Sequence, residues 1–390
     1  MSFQVLFLVA NYYKKAVFRN KAIVILALFL ITLLGYATFL GWSNYVTQNE
    51  ISEKYQHQSH EDWLKNPDKN PHRMAHYGNF AFRESSPLSM MEFGMESYFG
   101  NAIYLEAHKQ NTANFSEASF SNSLLRFGEI SIAMIFQILL PLLIFFIGYD
   151  AISAERENGT LKLHLSQGIS WKTLLAGKMI GIAHVALIFF IPAMLVIVFI
   201  WMFLQNFSIT VDDGLKMTFF VLFHLLYILF FCIIVILVSA VSKTSKKALV
   251  SLIGLWLLCT IILPRGTQAL GSYLYATPSK INFNSAIEKD ILKVGDSHNP
   301  DDLHFKGIKD SLLTVYKIKS VDELPFNYKG FIMLEGEKIS SRIYNQHLDT
   351  LLQTYDKQNR FSRAVSFLNP YIAIKNIAMG LSNTDYDSYV

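Results

Sequence analysis

ISIAMIFQILLPLLIFFIGY (130–149), DAISAERENGTLKLHLSQGISWKTLLAGK (150–178) and MIGIAHVALIFFIPAMLVIVFIWMFL (179–204) follow one another without a gap, and their reading decides the fold. Neither flank contains Asp, Glu, Lys or Arg, while the stretch between them is dense in charge. A hydrocarbon core about 30 Å thick takes about 20 apolar residues at 1.5 Å rise each. A charge at the centre of such a segment costs roughly 2.5–3.5 kcal/mol. The flanks therefore read as membrane spans and the middle as a loop at the membrane surface.

Working outward, three more segments meet the same test: 22–42, 217–241 and the shorter 248–264, whose end is marked by Pro264 and Arg265. In lipid every backbone N–H and C=O must be satisfied within the segment, and none of the five alternates as a barrel strand does. The sequence predicts a mainly α, polytopic membrane protein with five transmembrane helices. Lys14, Lys15, Arg19 and Lys21 precede span 1; Arg156, Lys162, Lys172 and Lys178 follow span 2; Lys243, Lys246 and Lys247 follow span 4. Positive residues collect on the cytoplasmic side, so the N-terminus, 150–178 and 242–247 are expected inside. The short loop 205–216 and the long segments 43–129 and 265–390 are expected outside.

Residues 1–21 read as a cytoplasmic interfacial helix, with Phe3, Leu6, Phe7, Ala10, Tyr13 and Val17 at helical spacing. Span 1 is too long for a signal-peptide core and should stay attached. Both cysteines, Cys232 and Cys259, fall inside spans, so the outer segments hold together by packing. Those segments are expected to be largely helical and to pack as one outer domain. One helix is expected over 104–115, and another over about 335–360, where Ile339, Ile343, Tyr344, Leu348, Leu351, Leu352 and Tyr355 recur. The latter needs a partner surface, for which the first outer segment is the candidate. The net charge of +4 reflects topology, and nothing resembles a nucleic-acid module.

In the 150–178 loop, Glu155 and Glu157 flank Arg156, Gly159-Thr160 breaks and restarts the backbone, and Leu161, Leu163 and Leu165 supply apolar contacts. Such a segment suits docking into a groove on a soluble protein. Glu155-Arg156-Glu157-Asn158-Gly159-Thr160-Leu161 through Leu165-Ser166, with Gly177-Lys178 before span 3, resembles the pattern of ABC-2 type permeases. In that family the segment is similar to a coupling helix resting on a separate ATPase. The stretches Pro71–Gly78, Phe82-Arg83, Ser86-Pro87-Leu88, Tyr98-Phe99-Gly100, Leu105–His108 and Arg126–Glu129 resemble the subgroup with large extracytoplasmic insertions, labelled multi-copper enzyme maturation permeases.

The resemblance implies a non-catalytic membrane subunit of an ATP-driven exporter in the bacterial cytoplasmic membrane. A second permease copy, identical or related, would be its membrane partner. The coupling residues would be Glu155, Arg156, Glu157, Gly159, Thr160, Leu161 and Leu165, and charge reversal at Glu157 would uncouple hydrolysis from transport. The alternative is a mechanotransmission complex acting on extracytoplasmic partners. The family also implies a sixth span, which is expected to be missing here by truncation or divergence.

No cofactor is expected on this chain. There is no G-x-x-x-x-G-K-[ST], so ATP and Mg belong to the partner ATPase. Neither H-E-x-x-H nor G-x-S-x-G appears, which argues against an enzyme. His57, His60, His72 and His76, followed by Met90, Met91 and Met95, form a candidate soft-metal set. The competing reading places the methionines in a core, and the resemblance accounts for His72 and His76 without metal. His184 and His224, inside spans, read as interhelical hydrogen-bonding groups or as a proton or substrate contact. Pro141 and Pro192 are expected to kink their spans, and Gly177-x-x-x-Gly181 to permit a close helix contact.

Overall fold

A computed structural model describes residues 3–70, 73–74, 76–100, 102–106, 130–295, 299 and 302–389. Phe3–Arg19 forms α1 and Lys21–Leu64 forms α2. An antiparallel ribbon follows, β1 Asn79–Phe82 and β2 Ala102–Leu105, with Phe80 opposite Tyr104. Next, α3 runs as an α turn (Ile132–Met134), a π segment (Ile135–Leu139) and a longer α stretch (Leu140–Gly148). The short helices α4, Ser153–Glu157, and α5, Thr160–Ser166, lead to α6, Trp171–Leu204, and α7, Val211–Val241. α8 covers Ser245–Leu274 with a π segment, Leu258–Ile262, in its middle. Then come α9 Lys280–Val294, α10 Leu303–Tyr316, α11 Tyr328–Ser366 and α12 Pro370–Leu381.

This is a polytopic α-helical membrane protein. The helices α2, α3 with its continuation, α6, α7 and α8 are long and apolar enough to cross a bilayer. Their outward faces leave Leu195, Val196, Phe199, Phe203, Leu226, Phe230 and Leu237 uncovered, as suits lipid rather than water. Centrally, α3 packs against α2, α6, α7 and α8. Its Ile135, Ile144 and Phe145 are fully buried, and Phe136 and Phe145 meet Phe190 and Phe231 at 5.0 and 5.5 Å. The end of α3, the start of α6, the end of α7 and the start of α8 gather with α4 and α5 at one end of the bundle, the loop end. The ribbon and α9–α11 belong to the other end.

Both π segments stand two residues before a proline, Pro141 in α3 and Pro264 in α8. Proline has no N–H to give a carbonyl one turn back, and widening the turn accommodates the loss. Carbonyls in these turns take donors from neighbouring helices instead. Gln137 O accepts from the Tyr227 hydroxyl (2.8 Å), Ile138 O from Trp256 Nε1 (2.9 Å) and Cys259 O from Asn369 Nδ2 (2.8 Å).

Several sequence expectations are corrected. The expected end of span 5 at Pro264 is not a helix end, because the π turn lets α8 continue to Leu274. Helix α2 outruns its apolar stretch by more than 20 residues and stops only at Leu64, just before Asn66-Pro67. Tyr104 and Leu105 lie in a strand rather than a helix, paired with Phe80 and Asn79. The remainder of that expected helix lies outside the described residues, except Glu106, which is not helical.

The apolar face of α11 is covered by α9 and α10 rather than by the first outer segment. Phe305, Ile332, Ile339 and Ile343 form this separate core. The two long segments meet instead through residues 383–389. Arg83 donates to Asn383 O (2.9 Å) and lies over the Tyr389 ring, and Met95 N donates to Thr384 O (2.8 Å).

Residues 370–381, expected to lie in an outer segment, pack along α7, with Ile374 and Ala378 in the main core. α12 starts beside the α8 π segment at Asn369 and leads toward the start of α7, where Lys216 Nζ reaches Asn383 Oδ1 (3.2 Å). Its 12 residues are too few to cross a bilayer, since a span needs about 20.

Candidate functional site

At the loop end the chain leaves α3 through Tyr149-Asp150 and turns into α4. The backbone N–H groups of Ile152 and Ser153 lose helical partners there, and the buried Ser239 Oγ of α7 accepts from both (3.0 and 3.2 Å). Ser153 Oγ donates back to Tyr149 O (3.0 Å). The turn is thereby fixed to α7 before the charged triplet begins.

Each member of the triplet meets a different part of the chain. Glu155 Oε1 accepts from Lys178 Nζ, which also donates to Ala151 O, tying α4 to α6. His164 Nε2 lies 3.6 Å from the same carboxylate oxygen. Arg156 donates from Nη1 to Ser242 O and from Nη2 to Ala240 O, at the C-terminal end of α7. Glu157 Oε2 accepts from Ser245 N (2.9 Å) and Ser245 Oγ (2.6 Å), at the N-terminus of α8. Those two bonds, the hydroxyl's first, hold the Glu157 carboxyl below the usual carboxylate range.

Gly159 follows with φ +76°, a left-handed conformation that costs glycine nothing and separates α4 from α5. Thr160 opens α5, its hydroxyl donating to Glu155 O (3.3 Å). Leu161 turns inward onto Ile152 and Leu174, flanked by Val9 and Ala240. Leu163 and Leu165 are 59% and 42% exposed, on opposite sides of α5, and Lys162, Trp171 and Lys172, close by in sequence, are exposed as well. The structure thus divides the predicted set. Glu155, Arg156, Glu157, Thr160 and Leu161 serve the chain's own packing, Gly159 supplies the bend, and Leu165, like Leu163, is left exposed.

Sequence reasoning missed Lys178, Ser239 and Ser245 as partners of this segment, and it missed the role of α1. Gly177 and Gly181 do permit a close contact, and the helix they admit is α1. A Cβ at Gly181 would stand 2.9 Å from Ala10 O, and one at Gly177 would stand 2.8 Å from the Val9 side chain. Tyr13 of α1 donates to Ile147 O (2.7 Å), joining α1 to the end of α3.

The other candidates lie elsewhere. His57 and His60 are exposed on α2, His60 stacking on Trp63 at 6.3 Å. His76 Nδ1 stands 3.8 Å from Glu106 Oε1, and His72 lies outside the described residues. Among the described residues no three His, Cys, Asp or Glu side chains come together as a metal-holding group. Met90 and Met91 are buried in the main core. Inside the bundle, His224 Nδ1 faces Phe220 O (2.8 Å) and Nε2 faces Gln137 Nε2 (3.3 Å), an interhelical contact, whereas His184 is exposed on α6.

A search of curated proteins found none that matches the chain. Residues 14–385 match the model of a family described as ABC-2 family transporter protein. That family supplies permease components of ABC systems, generally non-catalytic membrane subunits, and implies an ABC ATPase partner. With the five spans and residues 150–178 inside the match, the chain belongs to the ABC-2 family transporter proteins.

Proposed function

We propose that this chain is the membrane subunit of an ATP-driven exporter in a bacterial cytoplasmic membrane, and that it docks its ATPase through the exposed leucines of α5. The carrying observation is the exposure of Leu163 and Leu165 on α5, close in sequence to the exposed Lys162, Trp171 and Lys172 and directly after α4, the helix bonded to α6, α7 and α8. Exposed apolar side chains on a short helix in a basic segment suit a groove on a soluble partner. The absence of a phosphate-cradling loop from the sequence supports assigning ATP and Mg to that partner.

In this reading the loop end is cytoplasmic, in keeping with its Lys and Arg content, and the ribbon and α9–α11 are extracytoplasmic. A second permease copy, identical or related, completes the pathway. Closure of the ATPase pair moves α5 and with it the adjoining α4, and the spans bonded to α4 follow. A second reading, mechanotransmission to extracytoplasmic partners such as an enzyme under maturation, is favoured by the reach of α2 and α11, 44 and 39 residues long.

Affinity purification of the full chain from native membranes tests the docking. Wild type should bring down an ABC ATPase, and Leu163→Asp with Leu165→Asp should lose it about 10-fold or more, as interface anchors worth over about 1.4 kcal/mol do. Retention of the ATPase by that variant would refute the assignment.

A further inference from the structure

The link between α7 and α8 is three residues long, 242–244, and both helix ends beside it are closed by neighbouring side chains from one short helix. At the end of α7, where carbonyls lack helical partners, Arg156 donates to Ala240 and Ser242. At the start of α8, where N–H groups lack partners, Glu157 accepts from Ser245. A cation thus sits at the negative end of one helix and an anion at the positive end of the next, each with favourable sign. Ser239, two residues before the end of α7, is bonded to Ile152 and Ser153 as well, and Ser153 Oγ lies 3.2 Å from Ser245 Oγ.

We infer that Arg156 and Glu157 form a clasp that locks the α7–α8 link to α4. Load entering at α5 is thereby shared by spans 4 and 5 as well as by spans 2 and 3. The inference rests for its purpose on the docking reading above, but the clasp is a property of this chain alone. Both are positioning residues. The motif that resembles a partner contact in sequence is turned toward the chain's own spans, and the partner is left to Leu163, Leu165 and Trp171. Arginine suits the first half because its planar fork reaches two carbonyls at once, which lysine's point charge cannot reproduce. The link itself carries Lys243, an internal reporter of whether the clasp is closed.

The test uses the full chain with its co-purifying partners. Both native cysteines are buried, so spin labels at Gln167→Cys and Val250→Cys report the separation of the loop from α8. Arg156→Lys and Glu157→Ala should broaden that distance distribution about twofold and speed tryptic cleavage at Lys243 about fivefold or more, as local opening of the link requires. Ser245→Ala, which keeps the backbone N–H, should fall between, and guards against a result caused by general misfolding. ATPase recovery should persist in all three.

An unchanged distribution and unchanged cleavage would overturn the clasp. So would loss of the ATPase from Glu157→Ala with the distribution unchanged, since Glu157 would then be a docking residue. Failure of wild type to bring down any ATPase would instead defeat the docking reading and leave the clasp measurement standing.

Discussion

Single atoms in the π turns carry much of the order inside the bundle. Gln137 O and Cys259 O depend on donors from other helices, Tyr227 and Asn369. Tyr227→Phe removes one donor while keeping the ring, and leaving a buried carbonyl without it costs about 1–3 kcal/mol. A lowered midpoint of thermal unfolding in detergent should report this, and Tyr36→Phe, at an exposed position, should not. Gly181 makes a different demand, since any Cβ there presses on the α1 backbone. Gly181→Ala should cost about 1–3 kcal/mol through overpacking and weaken cross-linking between cysteines placed in α1 and α6. Neither requirement is legible along the chain. Tyr227 lies 90 residues from Gln137, and the partners of Glu155 and Glu157 lie 23 and 88 residues away. The loop's place between two spans was readable from composition; which of its side chains face inward was not, because that depends on where α7 ends.

Helices show the same division between local and distant causes. Five spans were readable because an uncompensated charge in lipid is expensive, so an apolar run of the right length has one reading. Their ends were not, because hydropathy marks where lipid stops, while a helix stops at a breaker. Thus α2 runs past Trp42 to the turn before Pro67, and α8 passes Pro264 with Asn369 serving the carbonyl of Cys259, 110 residues before it, in the π turn. At the far end, α9 is held to α11 partly by Asp290. Its carboxyl is kept below the usual range by hydrogen bonds, first from Lys293 and then from His347 (2.7 and 2.9 Å). A depressed carboxylate adds stability in full above its unfolded value of about 3.9, and that stability goes as pH falls through the lower folded value. Protease protection of α9 should therefore weaken on acidification below about pH 4 in wild type. Asp290→Asn should show less protection at neutral pH and little further change on acidification.

The whole molecule has a compact bundle, tightly bonded at its loop end, and helices that reach well past the spans at the other. The bundle's core and the α9–α11 core share no residues, and α8 and α11 connect them. Breaking one reaching element separates binding from transmission. Glu53→Pro, at an exposed position of α2, should cut that helix at a local cost of about 3 kcal/mol. The variant should still recover the ATPase while work at the far end is lost, and normal activity would exclude α2 from transmission. Residues 43–64 carry α2 about 33 Å beyond its apolar stretch at 1.5 Å per residue. A rigid rod of that reach, tilted by about 10°, swings its tip by about 6 Å. Gearing of this kind exchanges force for travel. A small tilt at the base of the spans is thus enough to displace a surface well clear of the bundle.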